Sequence, residues 1–409
     1  MKRFTLCISL MIMVIMLSAG NSILSYRGYP VKYYGCDIYS MGMGDAGSSD
    51  IFRVNTGFSN PAMNHTPNRG LFSTGLLFGY SNYETNSGIS RKYRDNSFDF
   101  PYFSISIPYY GHRLGFQFNS YASGVVENQT SFSSGDLTII EKQTMDRYLY
   151  RVDAIYSYAF KRLKLGLGVN YYFGHDTQEF SQFSESGIFN TWEKLTNSYK
   201  NPTATLGAIW GGDKFALGTY YTLSGTLKGE QKRSFGTNGG SWVIESETND
   251  EKYKIPEQIG VSATILPMDE YKLAADVIYE PSGKSDFGDQ DGWKLALGLA
   301  REPSQERKNW FSRLPVRTGI SYRRLQFNDQ EDNALNEISA TLGLSFNLKK
   351  DLNRIDVGVK LTRRGEIETN KMQDTAVMMM LGITGFDIFS RESSRREPRY
   401  IPVKEELAE

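Results

Sequence analysis

Residues 163–174 read LKLGLGVNYYFG. Leu163, Leu165, Leu167, Val169, Tyr171 and Phe173 share one phase, and Lys164, Gly166, Gly168, Asn170, Tyr172 and Gly174 share the other. A period of two is that of a β-strand, whose successive side chains point to opposite faces. With 40% hydrophobic residues overall, six in one phase would arise by chance roughly once in 250 windows. The preceding segment repeats the pattern, with Tyr148, Tyr150, Val152, Ala154, Tyr156, Tyr158 and Phe160 set against Arg151, Asp153 and Ser157. Working outward, the same rule marks strands at 71–83, 98–107, 114–121, 199–210 and 215–223. Others begin at Ile255, Leu273 and Trp293, and four more centre on 316–322, 338–348, 355–361 and 377–383. The total is about 14 strands.

Connection lengths test what kind of sheet this is. Short ones lie at 110–112, 161–162, 211–214, 267–270 and 349–353, and between them are long polar segments at 84–97, 122–146, 175–197, 226–253, 281–291, 325–336 and 364–373. Only 301–313 is long where the parity requires a short turn. Outer-membrane barrels alternate short periplasmic turns with longer extracellular loops, whereas β-sandwiches and β-helices do not. In lipid every backbone polar group must be paired, so this many strands can cross only as a closed sheet. The expected fold is all-β, a transmembrane antiparallel β-barrel over residues 70–389 with its apolar phase on acyl chains. Tyr148, Tyr150, Tyr156, Tyr158 and Phe160 suit the aromatic girdles. Arg151, Asp153, Lys164, Asp276, Glu280, Lys294, Arg317, Arg323, Asp356 and Lys360 fall on the opposite phase and point into the lumen. Their balanced signs suggest pairs that brace a plug rather than an ion-selective pore.

Composition agrees. Lys+Arg 46 against Asp+Glu 46 leaves a net charge of +0, so no overall field recruits nucleic acid. A mean hydropathy of -0.43 excludes a polytopic helical membrane protein. Two Cys and three His discourage disulfide or His-metal frameworks.

Residues 1–20, MKRFTLCISLMIMVIMLSAG, place Lys2 and Arg3 before an apolar run and small residues after it. This is a cleavable secretory signal peptide. Asn21 stands where a lipidated cysteine would be required, and Cys36 is the one cysteine left after cleavage. The expected location is the bacterial outer membrane, as an integral protein. Residues 21–69 lack clean alternation and are too many for a linker. They contain Gly42-Met43-Gly44-Asp45-Ala46-Gly47 and Asn60-Pro61-Ala62. The first matches GxGxxG, yet no long strand precedes it and no acidic residue lies between Asp50 and Glu84 to hold a ribose. Its glycines fit tight turns and close packing in a confined space better than a phosphate site. The second is by itself an ordinary turn.

Together, a small-residue MGMGDAG followed by NPA between a signal and a barrel of about 14 strands resembles the FadL-like family of outer-membrane transporters of long-chain fatty acids. The same pattern occurs in the related PorV-like barrels of protein secretion. The resemblance implies an N-terminal hatch inside the lumen, with Asn60, Pro61 and Ala62 in the plug and Gly42, Gly44, Asp45 and Gly47 in its tight turns. It further implies a hydrophobic, fatty-acid-like ligand that is captured at the loops, bound in the lumen and released by hatch gating. Outer-membrane lipid is the other expected partner. The PorV-like alternative implies secretion cargo, and a purely structural barrel is a third reading. Residues 390–409 form a charged periplasmic tail on this view.

No enzyme chemistry emerges. His65, His112 and His175 lack ligand spacing, no GxSxG occurs, and Asp286, Asp289 and Asp291 lack the terminal Glu of a calcium loop. The expectation is neither cofactor nor metal.

Overall fold

A computed structural model describes residues 31–385 except 33–34, 65–69, 87–89, 135–136, 185–189, 239–244, 282–287, 289, 305–308, 330 and 349–352. The signal peptide and the charged tail expected from the sequence lie outside the described residues.

The described chain forms a closed antiparallel barrel of 14 strands. They are β1 (Leu71–Asn86), β2 (Ser90–Asp99 and Tyr102–Tyr109), β3 (His112–Ser134), β4 (Leu137–Phe160), β5 (Leu163–Ser184) and β6 (Asn190–Gly211). Next come β7 (Phe215–Thr222 and Gly225–Asn238), β8 (Glu245–Ile255 and Gln258–Met268), β9 (Tyr271–Glu280) and β10 (Gly292–Arg301). The circuit ends with β11 (Val316–Asn328), β12 (Ala334–Asn347), β13 (Arg354–Arg364) and β14 (Met372–Gly385). Each strand pairs with its sequence neighbours, and β14 closes on β1 from Met372 opposite Thr85 to Gly385 opposite Phe72. Closure removes the sheet edges that a bilayer cannot satisfy.

Every expected strand is present, and the short turns at 110–112, 161–162, 211–214 and 267–270 sit where the alternation requires them, while most of 349–353 lies outside the described residues. The long segments need correction. Strands β3 to β6 contain 23, 24, 22 and 22 residues, whereas a tilted crossing needs about 9–11. Most of 84–97, 122–146, 175–197 and 226–253 is therefore strand rather than loop, rising past the lipid as a tall wall on the β3–β8 side. Above the membrane both faces meet water, so apolar alternation lapses while the backbone ladder continues. The long connection at 301–313 includes a short helix, Trp310–Arg313.

The two strand faces divide as expected. Leu165, Leu167, Val169 and Tyr171 on β5 are exposed to the lipid side, as are the aromatic Tyr156, Tyr158, Phe160 and Trp210 near the turns. Tyr148 and Tyr150 stack with each other at 6.3 Å and meet Phe173 and His175 further up the same exterior face. On the opposite phase Arg151, Asp153, Asp276, Glu280, Lys294, Arg317, Arg323 and Asp356 are buried, and Lys164 and Lys360 are half-buried.

Candidate functional site

The described part of the N-terminal segment lies inside the barrel at its short-turn end. Asp37 opens the helix α1 (Ile38–Met41) by accepting a hydrogen bond from the Ser40 N–H, which satisfies one of the orphan donors of a helix start. The glycine motif follows directly. Gly44 and Gly47 have φ of +71° and +113°, a region that side-chain-bearing residues enter only with strain, and Asp45 shares it at +68°. Gly42 has an ordinary φ of -66°; what it needs is space, because a Cβ there would stand 3.3 Å from the Gly343 backbone.

This turn is fastened to three sectors of the wall. The Gly44 N–H donates to Thr341 Oγ1 at 2.9 Å, and that hydroxyl lies 3.0 Å from the Gly42 carbonyl. The Gly47 and Ser48 N–H groups donate to the two carboxylate oxygens of Asp276, at 2.9 Å each. Asp45 accepts from Lys294 of β10 at 2.6 Å and from Lys360 of β13 at 2.8 Å. Burial opposes the Asp45 charge, but the two lysines more than offset it and hold the carboxyl well below the usual carboxylate range. Cys36 Sγ lies 3.6 Å from Asp45 Oδ1; burial, and then that carboxylate, push the thiol up.

A second cluster surrounds Tyr39. Arg53 donates to Asp37 Oδ1 at 3.0 Å, to Asp50 at 3.2 Å and to Ser40 Oγ at 2.7 Å. Lys272 of β9 reaches Asp50 at 2.9 Å and Glu302 at 3.0 Å, and the Tyr39 hydroxyl donates to Glu302. Arg317 and Arg354 both pair with Asp356, at 3.2 and 2.8 Å. The Tyr39 ring then has Arg317, Arg53 and Arg354 within 4.2, 4.4 and 4.5 Å of its centroid, a cation–π arrangement that desolvation strengthens. Burial raises the Asp37 carboxyl, while Arg53 and Arg354 lower it further than burial raises it, so the net displacement is downward.

The Asn-Pro-Ala motif is the start of a 3₁₀ turn, Pro61–Met63. Asn60 caps it by accepting from the Ala62 N–H at 3.0 Å, and its amide donates to the Ser48 carbonyl at 3.2 Å. The same amide reaches the Thr219 carbonyl of β7 at 3.4 Å, so one side chain ties the turn, the glycine region and the wall. All seven residues picked from the motifs thus belong to one plug, but in two places: 42–47 against β9–β13, and 60–62 against β5–β7.

What the sequence reading missed is the wall's half of this fit. A Cβ on Gly319 would stand 2.1 Å from the Met43 carbonyl carbon, one on Gly298 2.6 Å from the Met43 oxygen, and one on Gly166 2.3 Å from Ala62 N. One on Gly207 would meet Asn60 Oδ1 at 2.2 Å. Glycines on the lumen phase of β5, β6, β10 and β11 therefore mark where hatch backbone lies on strand backbone. The signal was visible, in that Gly166 and Gly298 alternate with Leu165 and Leu297, but the sequence does not say which backbone lies against them.

Further from the turns, the lumen changes character. Tyr121, Leu149, Tyr172, Tyr199, Leu227, Tyr253 and Ile255 form a buried apolar cluster between the tall strands. Its floor is polar: Asp153 accepts from Arg151, Gln117, Asn119 and Asn170, and Gln117 also donates to the hatch carbonyl of Phe58 at 3.1 Å. Above the hatch, Val31–Lys32 pairs with Ser123 and Ala122 of β3, and Lys32 Nζ crosses to Glu280 at 3.1 Å. Apolar grooves on the outside, such as one of about 570 Å³ lined by Leu297, Ile320, Ile338 and Leu361, face lipid.

Among the described residues no group of three His, Cys, Asp or Glu could hold a metal ion. His112 and His175 lie on separate parts of the outer aromatic surface. Asp291 accepts from the Tyr279 hydroxyl at 2.7 Å; His65, Asp286 and Asp289 lie outside the described residues.

The comparisons with known proteins fit this architecture. The toluene transporter TodX of Pseudomonas putida is similar in structure with a TM-score of 0.55 at 15% identity, over 86% of this chain and 98% of that one. A FadL homologue of Pseudomonas aeruginosa gives 0.60 at 12% identity, over 87% and 98%. At such identities the likeness is one of fold. No curated protein matches the sequence. The family model described as BamG matches residues 1–389, and the chain accordingly belongs to the BamG family, built as a FadL-like outer-membrane barrel.

Proposed function

We propose that this protein carries hydrophobic small molecules, long-chain fatty acids among them, across the outer membrane by capture at the tall wall, binding in the lumen and release past the hatch. The observation that carries the reading is the buried aromatic cluster around Tyr172 and Tyr199, which stands directly over a polar, non-covalently held plug. A buried apolar cluster in an otherwise polar lumen supports an apolar ligand class for this route, since apolar burial is worth about 25 cal/mol per Å². The similar barrels include proteins described as a toluene transporter and a FadL homologue, which supports the same ligand class.

On this reading Gly42, Gly44, Asp45 and Gly47 form the movable contact with β9–β13, while Asn60, Pro61 and Ala62 are the pivot on β5–β7. Binding and gating replace catalysis. The test is uptake of radiolabelled oleate and of smaller apolar compounds by a deletion strain carrying the wild-type protein or the Tyr172→Asp, Tyr199→Asp double variant. We expect the wild type to restore uptake and the variant to lose at least tenfold. Equal uptake with and without the protein across the panel would sink the transport reading.

A second reading has its own support. The plug is braced by Arg53, Lys272, Lys294, Lys360 and Arg354 against Asp37, Asp45 and Asp50, a sealed arrangement that suits a PorV-like secretion component or a structural barrel. Reproducible co-purification of exported cargo, with uptake unaffected, would favour it.

A further inference from the structure

The outer face of the tall wall carries an arrangement that neither the plug nor the lumen uses. Lys200 of β6 stands directly opposite Lys228 of β7, and Lys228 directly opposite Lys252 of β8. All three are exposed, so three ammonium groups share one row across adjacent strands. Directly opposed residues have Cβ atoms about 4.5–5.5 Å apart, and like charges at that spacing destabilise a sheet. Elsewhere on the outer face lysines have partners: Lys142 pairs with Glu127 at 2.8 Å and Lys194 with Glu179 at 3.9 Å. Among the described residues no carboxylate pairs with Lys200, Lys228 or Lys252.

The place of this row in the wall narrows what could neutralise it. The row continues the exterior aromatic group, with Tyr150 opposite Phe173 and Phe173 opposite Lys200. On β6, Trp210 to Lys200 is one tilted crossing of about 9–11 residues, so the lysines begin where acyl chains end. Toward the short turns on the same three strands, Leu206, Leu223 and Ile259 are exposed. In the other direction Glu230 and Asp250 face each other on the same phase and disfavour an anion further out. The chain as a whole is neutral, so the positive field is local to this row.

We propose that Lys200, Lys228 and Lys252 hold the phosphate of an outer-leaflet glycolipid, whose acyl chains lie on Leu206, Leu223 and Ile259. A phosphate set against the row relieves the repulsion among its ammonium groups, and flexible lysine stems can converge on it. The occupant is a lipid rather than a free anion because the charged row and the apolar strip are continuous on one face and meet at the level of the interface.

The experiment is native mass spectrometry of the purified full chain in detergent, titrated with phosphorylated lipid A, with the same lipid after enzymatic dephosphorylation, or with inorganic phosphate. The variant combines Lys200→Gln, Lys228→Gln and Lys252→Gln. The charge-matched control combines Lys92→Gln, Lys142→Gln and Lys194→Gln, three lysines that have carboxylate partners. We expect the wild type to bind phosphorylated lipid A at least tenfold more tightly than the dephosphorylated form, the variant to lose at least tenfold, and the control to stay within twofold. Without lipid, the variant should resist urea at least as well as the wild type in heat-modifiable migration, because the opposed charges are gone. Binding of the two lipid forms within twofold of each other, or of wild type and variant within twofold, would overturn the proposal. So would inorganic phosphate displacing the lipid, which assigns the row to a free anion, or a variant less stable than the wild type, which assigns the lysines to the fold. The comparison of lipid forms needs only the wild type, and none of these outcomes depends on transport, so uptake and lipid binding fail independently.

Discussion

On the proposed reading, single residues hold the plug in place. Arg53 is the hub of the Tyr39 cluster, and removing it leaves Asp37 and Asp50 buried with their partners reduced. Breaking a buried pair from one side costs about 3–5 kcal/mol. Arg53→Met should therefore loosen the hatch while the barrel persists, which single-channel conductance in planar bilayers would register as frequent openings absent from the wild type. The carboxyls of Asp37 and Asp45 are both held below their ordinary value. Their contribution is thus complete at and above the usual carboxylate range and is lost only as pH falls through the lowered folded-state values. Conductance should stay closed at pH 5 and rise only under stronger acid; opening at pH 5 would count against this. Gly44→Ala adds a Cβ 2.7 Å from the Ile320 carbonyl oxygen at a positive φ, a strain of about 1–3 kcal/mol. Limited proteolysis of the variant should cut within the hatch under conditions that spare the wild type.

At the scale of elements, the hatch and the strands depend on different physics. The 3₁₀ turn rests on a cap, so Asn60→Ala should cost about 1 kcal/mol, whereas Gly166→Ala drives a methyl into Ala62 N at 2.3 Å and should displace the whole turn. Comparing the two by proteolysis separates lost capping from lost seating: the glycine variant should be cleaved faster. The strands rest on lipid. Leu167 is 42% exposed on the outer face of β5, and an arginine near the middle of such a face costs about 2–4 kcal/mol. Leu167→Arg should unfold at lower urea concentration than Leu167→Ala, as read from heat-modifiable migration on gels. The strands were legible in the sequence wherever one face met lipid and the other the lumen, as at Leu163–Ser184. Their upper halves were not, because residues such as Gln178, Glu179 and Lys194 put polar side chains on both phases, and the period vanishes while the ladder continues.

For the whole molecule, the division of labour between strands and plug is testable by removal. A chain lacking residues 31–64 keeps all fourteen strands, and should insert and conduct as an open pore with none of the gating. Failure to insert would mean that the barrel is templated by its plug. What the sequence by itself determined is the part of the fold governed by period and parity: an even-stranded barrel, its lipid face, and charges such as Asp153 and Arg317 turned inward. The alternation of side chains on a strand is local, so it can be read locally. The partners were decided only by the tertiary structure. That Asp45 meets Lys294 and Lys360, that Arg53 meets Asp37, and that Gly166 and Gly319 receive Ala62 and Met43 depend on where a segment with no period of its own comes to rest inside the ring. Contacts separated by up to 315 positions in the chain leave no local trace, because closure of the barrel rather than any neighbouring residue brings them together.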